Sequence, residues 1–144
     1  MTLLHQSVWG STFRGLWFLI EILLLTWCSV VIMKMETNLE KRGVFLATAT
    51  PIAVALGFTV AIHTIQVWIW AIVWVMLNVL PDWNTAIYFS LVTFTTLGYG
   101  DIVLGEALRI FGSFAAVTGL LAFGLSTAYM VALMTRVFQD RIFS

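Results

Sequence analysis

The sequence predicts an all-α membrane protein with three membrane-spanning helices. A short re-entrant helix and an extended segment are predicted between the second and third. Three observations carry that class. Of 144 residues, 61% are hydrophobic and only 10% charged, against about 25% charged in an ordinary soluble domain. The apolar residues gather into long runs, and a spanning helix needs about 20 of them. The stretch TTLGYGD at 95–101 interrupts these runs with residues that suit neither a spanning helix nor a lipid-buried strand.

The first apolar run extends from about Phe13 to Ile32, broken by Arg14 and Glu21. The residues before it lack the charged start of a signal peptide, and no small-residue cleavage site follows, so the run is expected to be kept. A charged connector, KMETNLEKRG, closes an N-terminal segment at residues 1–43 and leaves 44–144 as a second unit. In the second unit, Thr50-Pro51 reads as an N-cap and first helical position. That predicts an outer helix over 51–79, roughly 43 Å long at 1.5 Å per residue, enough for a tilted span. Leu80-Pro81-Asp82 ends it, and Asp82 or Asn84 can cap a new helix over 83–94, too short to cross a bilayer. After TTLGYGD comes a third long helix over 106–138, and the tail QDRIFS leaves no room for a cytoplasmic regulatory domain.

Extended backbone at membrane depth is tolerated only where protein buries it or where it lines a water-filled path. Gly98 and Gly100 allow backbone angles that other residues resist. With them, the carbonyls of Thr96, Leu97, Gly98 and Tyr99 can all face one side.

AIYFSLVTFTTLGYGD, Ala86 to Asp101, resembles the short helix and selectivity filter of the tetrameric potassium-channel pore family, and GLLAFGLSTA, Gly119 to Ala128, resembles its inner helix. The resemblance implies passive potassium conduction without enzyme activity or cofactor, with K+ as permeant ligand. It implies a homotetramer in membrane lipid, each chain meeting three identical subunits. K+ would sit at Thr96, Leu97, Gly98 and Tyr99, with Gly100 closing the filter and stacked carbonyl rings replacing the hydration shell. Thr93, Tyr88 and Asp101 would support the filter, with contacts from Thr93 to Tyr99 and Tyr88 to Asp101. Gly119 would be a gating hinge and Gly124 a second small contact. Thr95, Leu120, Phe123 and Thr127 would line the cavity, although Leu120 and Phe123 serve helix packing equally well. Leu97 replaces a commoner valine or isoleucine, Tyr88-Phe89 a commoner Trp-Trp, and Val92 a glutamate, so the bracing is thinner. A weakly selective cation channel and a non-conducting membrane subunit are the alternatives. A transporter subunit would need four such repeats in one chain.

With the filter opening outward, the N-terminus lies outside and the C-terminus in the cytoplasm, at a cell membrane. Lys34, Lys41, Arg42, Arg136 and Arg141 then lie inside, against Arg14 and Arg109 outside, as the positive-inside rule requires. Asp82, Asp101 and Glu106 would surround the outer mouth, and Trp17, Trp74 and Trp83 would mark the outer interface. No arginine recurs every third residue, so no charged-helix voltage sensor is expected. No basic run for nucleic acid and no Cys/His metal cluster are present, and Cys28 is the single cysteine. Glu21 and His63 are the intramembrane ionisable residues, hence candidates for pH sensing or for hydrogen bonds between the first two helices. Counting rises from the helix ends puts His63 level with Ser29 and Glu21 slightly above Gln66.

Overall fold

The computed structural model describes residues 3–39 and 43–142. Lys41 and Arg42 of the expected inner charges lie outside the described residues. Four helices follow in order: α1, Leu3–Leu39; α2, Val44–Met76; α3, Trp83–Phe94; and α4, Arg109–Ile142. Among the described residues there is no strand. Three helices are long and apolar enough to cross a membrane, over Leu4–Met35, Val44–Met76 and Arg109–Gln139. The protein is therefore an all-α chain of membrane-spanning composition with a short fourth helix inserted before its last span.

Several helix ends differ from expectation. Pro51 does not start α2 but lies inside it. Its ring nitrogen has no hydrogen to donate to the Ala47 carbonyl, and such a gap is tolerated among membrane helices. The helix instead enters at Gly43, whose φ of 105° only glycine adopts easily. It also stops before Val79. Asn78 turns into the left-handed region at φ 52°, and Asn78 N donates to Val75 O and Val79 N to Trp74 O, both at 3.0 Å. This is the paired closure by which a left-handed residue satisfies the last helical carbonyls, and asparagine serves there when glycine does not. Asp82 caps α3, its Oδ1 accepting from Thr85 N at 3.0 Å and its Oδ2 from Thr85 Oγ1 at 2.7 Å. Helix α4 begins at Arg109, leaving Glu106 in the preceding turn.

The contacts give the helix directions. Gln6 meets Phe111 and Glu21 meets Ser126, each pair 105 residues apart, so α1 and α4 run parallel. Phe13 with Trp70, Glu21 with Gln66 and Trp27 with Phe58 pair in opposite order, so α2 runs against α1. The first helix thus lies beside the other two spans from end to end.

Lipid tails are as apolar as leucine, so these helices associate through close packing and polar contacts rather than through escape from water. Alanines supply the closeness: Ala71, Ala86, Ala115 and Ala122 are each fully buried where α2, α3 and α4 meet. Aromatic rings fill the gaps between them. Trp70 stacks on Trp74 at 5.4 Å, and Trp74 meets Phe89 edge-on at 5.6 Å. Trp74, expected at the outer interface, is therefore fully enclosed, while Trp83 remains half exposed. A second cluster of Cys28, Ile32, Ala55, Leu133 and Val137 joins the far ends of α1, α2 and α4.

Candidate functional site

Where α3 ends, the chain stays tied to it while leaving helical geometry. Thr95 N donates to Leu91 O and Thr96 N to Thr93 O, both at 3.0 Å, and Gly98 N donates to Val92 O at 3.1 Å. The backbone then alternates in hand. Thr96, Gly98 and Gly100 have φ of 59°, 56° and 77°, while Leu97 and Tyr99 between them keep negative φ. In an ordinary strand successive carbonyls point to opposite sides. Alternating the sign of φ is the backbone pattern that allows successive carbonyls, here those of Thr96 to Tyr99, to share one side. Positive φ comes easily to glycine but not to a β-branched residue, so Thr96 carries strain of about 1–3 kcal/mol, a cost found most often at functional sites. The row is open to the outside of the chain, with Leu97 55% and Tyr99 67% exposed. The C-terminal end of α3 lies at its base and brings the negative end of that helix dipole toward whatever occupies the space below.

Around this row the sequence-predicted supports divide. The Tyr88 hydroxyl donates to Asp101 Oδ2 at 2.6 Å. That bond holds the Asp101 carboxyl below its ordinary range and raises the Tyr88 hydroxyl above its own. Within the chain no hydrogen bond joins Thr93 to Tyr99; Thr93 instead lines a crevice with Phe89, Leu104 and Gly112. Thr95 turns its hydroxyl back to Leu91 O at 2.7 Å. Phe89 and Val92 are buried and apolar. Asp82 is engaged in capping, which keeps its carboxyl below the ordinary range. Glu106 faces Arg109 at 3.8 Å across open solvent, a weak pairing.

Gly119 is a point of close helix contact. A Cβ there would run into the Phe94 carbonyl oxygen, so the missing side chain lets α4 press against the end of α3. Helix α4 passes unbroken through both Gly119 and Gly124, and nothing within the chain lies near Gly124. Leu120 and Thr127 are exposed. Phe123 packs its ring on Phe94 at 5.6 Å and on His63 at 4.6 Å.

Behind Phe94 the ionisable residues meet polar partners. Gln66 Nε2 donates to Glu21 Oε2 at 3.3 Å, and Ser126 Oγ donates to Glu21 Oε1 at 3.3 Å. His63 places Nδ1 3.1 Å from Gln66 Oε1 and Nε2 3.1 Å from Ser126 Oγ. Glu21 is fully buried, and its three partners nearly so. The expected proximity of Glu21 to Gln66 is found. His63, however, lies beside Ser126, while Ser29 bonds Tyr129 at 3.1 Å. Rise along one helix orders residues by depth but does not say which neighbour they face. Ser126 and Gln6, whose Oε1 accepts from Phe111 N at 3.2 Å, carry no signal in the sequence that sets them apart: Gln6 stands between His5 and Ser7, and Ser126 beside Thr127.

An ion channel family model matches residues 54–136, from α2 through the re-entrant segment and most of α4. No solved structure matches the chain. With more than half its length inside that match, and the whole re-entrant unit included, the chain belongs to the ion channel family.

Proposed function

We propose that this chain is one subunit of a homotetrameric, potassium-selective channel, passive and without catalysis, with its N-terminus outside a cell membrane and its C-terminus in the cytoplasm. The observation that carries the reading is the alternation of φ through Thr96, Gly98 and Gly100. One chain supplies a single row of carbonyls, which cannot encircle an ion. Copies arranged about an axis supply rings at successive heights, with Thr96, Leu97, Gly98 and Tyr99 holding dehydrated K+ in place of water. The exposed faces support assembly. Leu97, Tyr99 and Leu120 are more than half exposed on apolar or aromatic groups, which a neighbouring copy would cover. Thr93 and Tyr99, unpaired with each other inside one chain, have a partner available across such an interface. Gly124 offers α4 a smooth face toward the same neighbour.

The test is potassium flux in reconstituted vesicles, together with the mass of the detergent-solubilised assembly. The reading expects a mass of four chains and cation uptake driven by a potassium gradient. A monomer, or an assembly inert to potassium and sodium alike under every gradient imposed, would count against it. The second reading, a weakly selective cation channel, is favoured by one observation: buried Val92 and Phe89 donate nothing to the filter. It predicts equal potassium and sodium flux.

A further inference from the structure

The polar cluster behind the re-entrant segment is a closed ring, and its hydrogens can be counted. Gln66 gives it direction. With Nε2 donating to Glu21 Oε2, its Oε1 faces His63 Nδ1, which must therefore carry a hydrogen. The remaining two edges meet at the Ser126 hydroxyl, between Glu21 Oε1 and His63 Nε2. Ser126 owns one hydrogen, so these edges need one more. That hydrogen sits either on Glu21 Oε1, with Ser126 donating to His63, or on His63 Nε2, with Ser126 donating to Glu21. Both arrangements satisfy every edge.

We propose that Glu21 and His63 hold one proton in common, passed through the Ser126 hydroxyl, and that losing it breaks one of the two bonds by which Ser126 ties α4 to α1 and α2. In the transfer, the proton leaves Glu21 Oε1 for Ser126 Oγ as the serine hydrogen moves to His63 Nε2. The neutral pair becomes a carboxylate and an imidazolium, and nothing is gained or lost. Release to solvent is different. A buried carboxylate and a neutral imidazole then compete for one hydroxyl hydrogen, and an unpaired buried charge is costly. The edge that breaks is one of the two made by Ser126, the ring's member on α4, while Gln66 still joins α1 to α2. Ser126 lies two residues beyond Gly124, and His63 touches both Phe94 and Phe123, so the loosened point adjoins the base of the filter.

Among the described residues, the titratable groups nearest the ring are engaged elsewhere. Helix α3 presents only the Phe94 ring. On α4, Tyr129 lies about one turn below Ser126 and is engaged with Ser29. On α1, Arg14 is two turns above Glu21 and lies over the Phe114 ring at 5.3 Å, and Cys28 is buried in the lower cluster. Helix α2 contributes only His63.

The test is nitrogen-15 NMR of histidine-labelled protein in lipid bilayers across a pH series. The chain has 2 histidines, and His5→Gln leaves His63 alone in the spectrum. At neutral pH, His63 Nδ1 is expected to be protonated and Nε2 to resonate between its protonated and unprotonated positions, moving to the unprotonated one in a single alkaline step. In Glu21→Gln the amide completes the ring without a mobile proton, so Nε2 is expected to be fully unprotonated at neutral pH. Ser126→Ala should abolish the intermediate position. A wild-type Nε2 indistinguishable from that of Glu21→Gln overturns the proposal. Should either variant fail to reconstitute, a wild-type Nε2 that keeps one protonation state from acid to alkali overturns it equally. The readout needs no ion current, so it stands or falls apart from the conduction reading.

Discussion

Residues 96–100 are exposed and, among the described residues, their carbonyls accept no backbone hydrogen bond, whereas Glu21, Gln66, His63 and Ser126 close their polar groups on one another. The two regions lie on either side of Phe94, yet one is unfinished in a single chain and the other complete. The exposed segment with its strain at Thr96 gains little from its own chain, and the proposed channel gives it a role through what other copies and ions bring. The buried ring has every edge filled by three helices of one subunit, so it belongs to the fold of the monomer and is present before assembly. Damage to the first region should therefore spare the subunit and abolish transport. Damage to the second should weaken the subunit itself.

The largest effect is expected at the junction between them. Gly119→Ala would drive a Cβ into the Phe94 backbone, where neither atom can swing aside, and should cost about 3 kcal/mol, the upper part of the range for overpacking. Thermal unfolding of the solubilised protein checks this. A variant with unchanged unfolding would contradict the packing role. Next is Gly98→Ala. Nothing within the chain obstructs the added methyl, but φ of 56° disfavours it, at about 1–2 kcal/mol. The subunit should still fold and insert while potassium flux falls to background, and flux at the wild-type level would break the comparison.

Within the ring, shape and hydrogen bonding can be separated. Glu21→Leu leaves Gln66 Nε2 without its acceptor, while Ser126 keeps only His63, and should destabilise the subunit by about 2 kcal/mol. Glu21→Gln, which keeps an acceptor and a donor, should cost less than half as much. Equal losses, read from the same unfolding curves, would mean that the ring adds no more than packing.

The smallest effect is a titration. Since Tyr88 holds the Asp101 carboxyl below 3.8, their contact contributes at higher pH and is lost as acid takes the pH through that lowered value. Since Asp101 holds the Tyr88 hydroxyl above 10.0, the contact is lost again when alkali passes that raised value. It is therefore intact across the neutral range. Tyr88→Phe should return Asp101 toward 3.8, as carbon-13 NMR of labelled aspartate would record, and an unmoved titration would remove Tyr88 from the support of the segment.

Much of this division was legible in the residues. Long apolar runs announce spans because lipid leaves few alternatives, Asp82 announces a cap, and alternating glycines announce a backbone that changes hand. Contacts that depend on how a helix is rotated were not legible. Pro51 looked like a helix start, because local preference carries no information about the neighbouring helices that let α2 run through it. The closeness of Gly119 to Phe94 was hidden too, since a glycine kept for close approach and one kept for bending read alike. Ser126 was passed over although it closes the ring. Its partners come from helices 63 and 105 residues away, and nothing local marks the face they share.

The central claim, that the carbonyl row of Thr96 to Tyr99 becomes a selective filter on assembly, is tested most directly by a reversal potential. Purified protein in a planar bilayer, with potassium on one side and sodium on the other, should reverse far toward the potassium equilibrium potential. A steady current reversing near zero would contradict it.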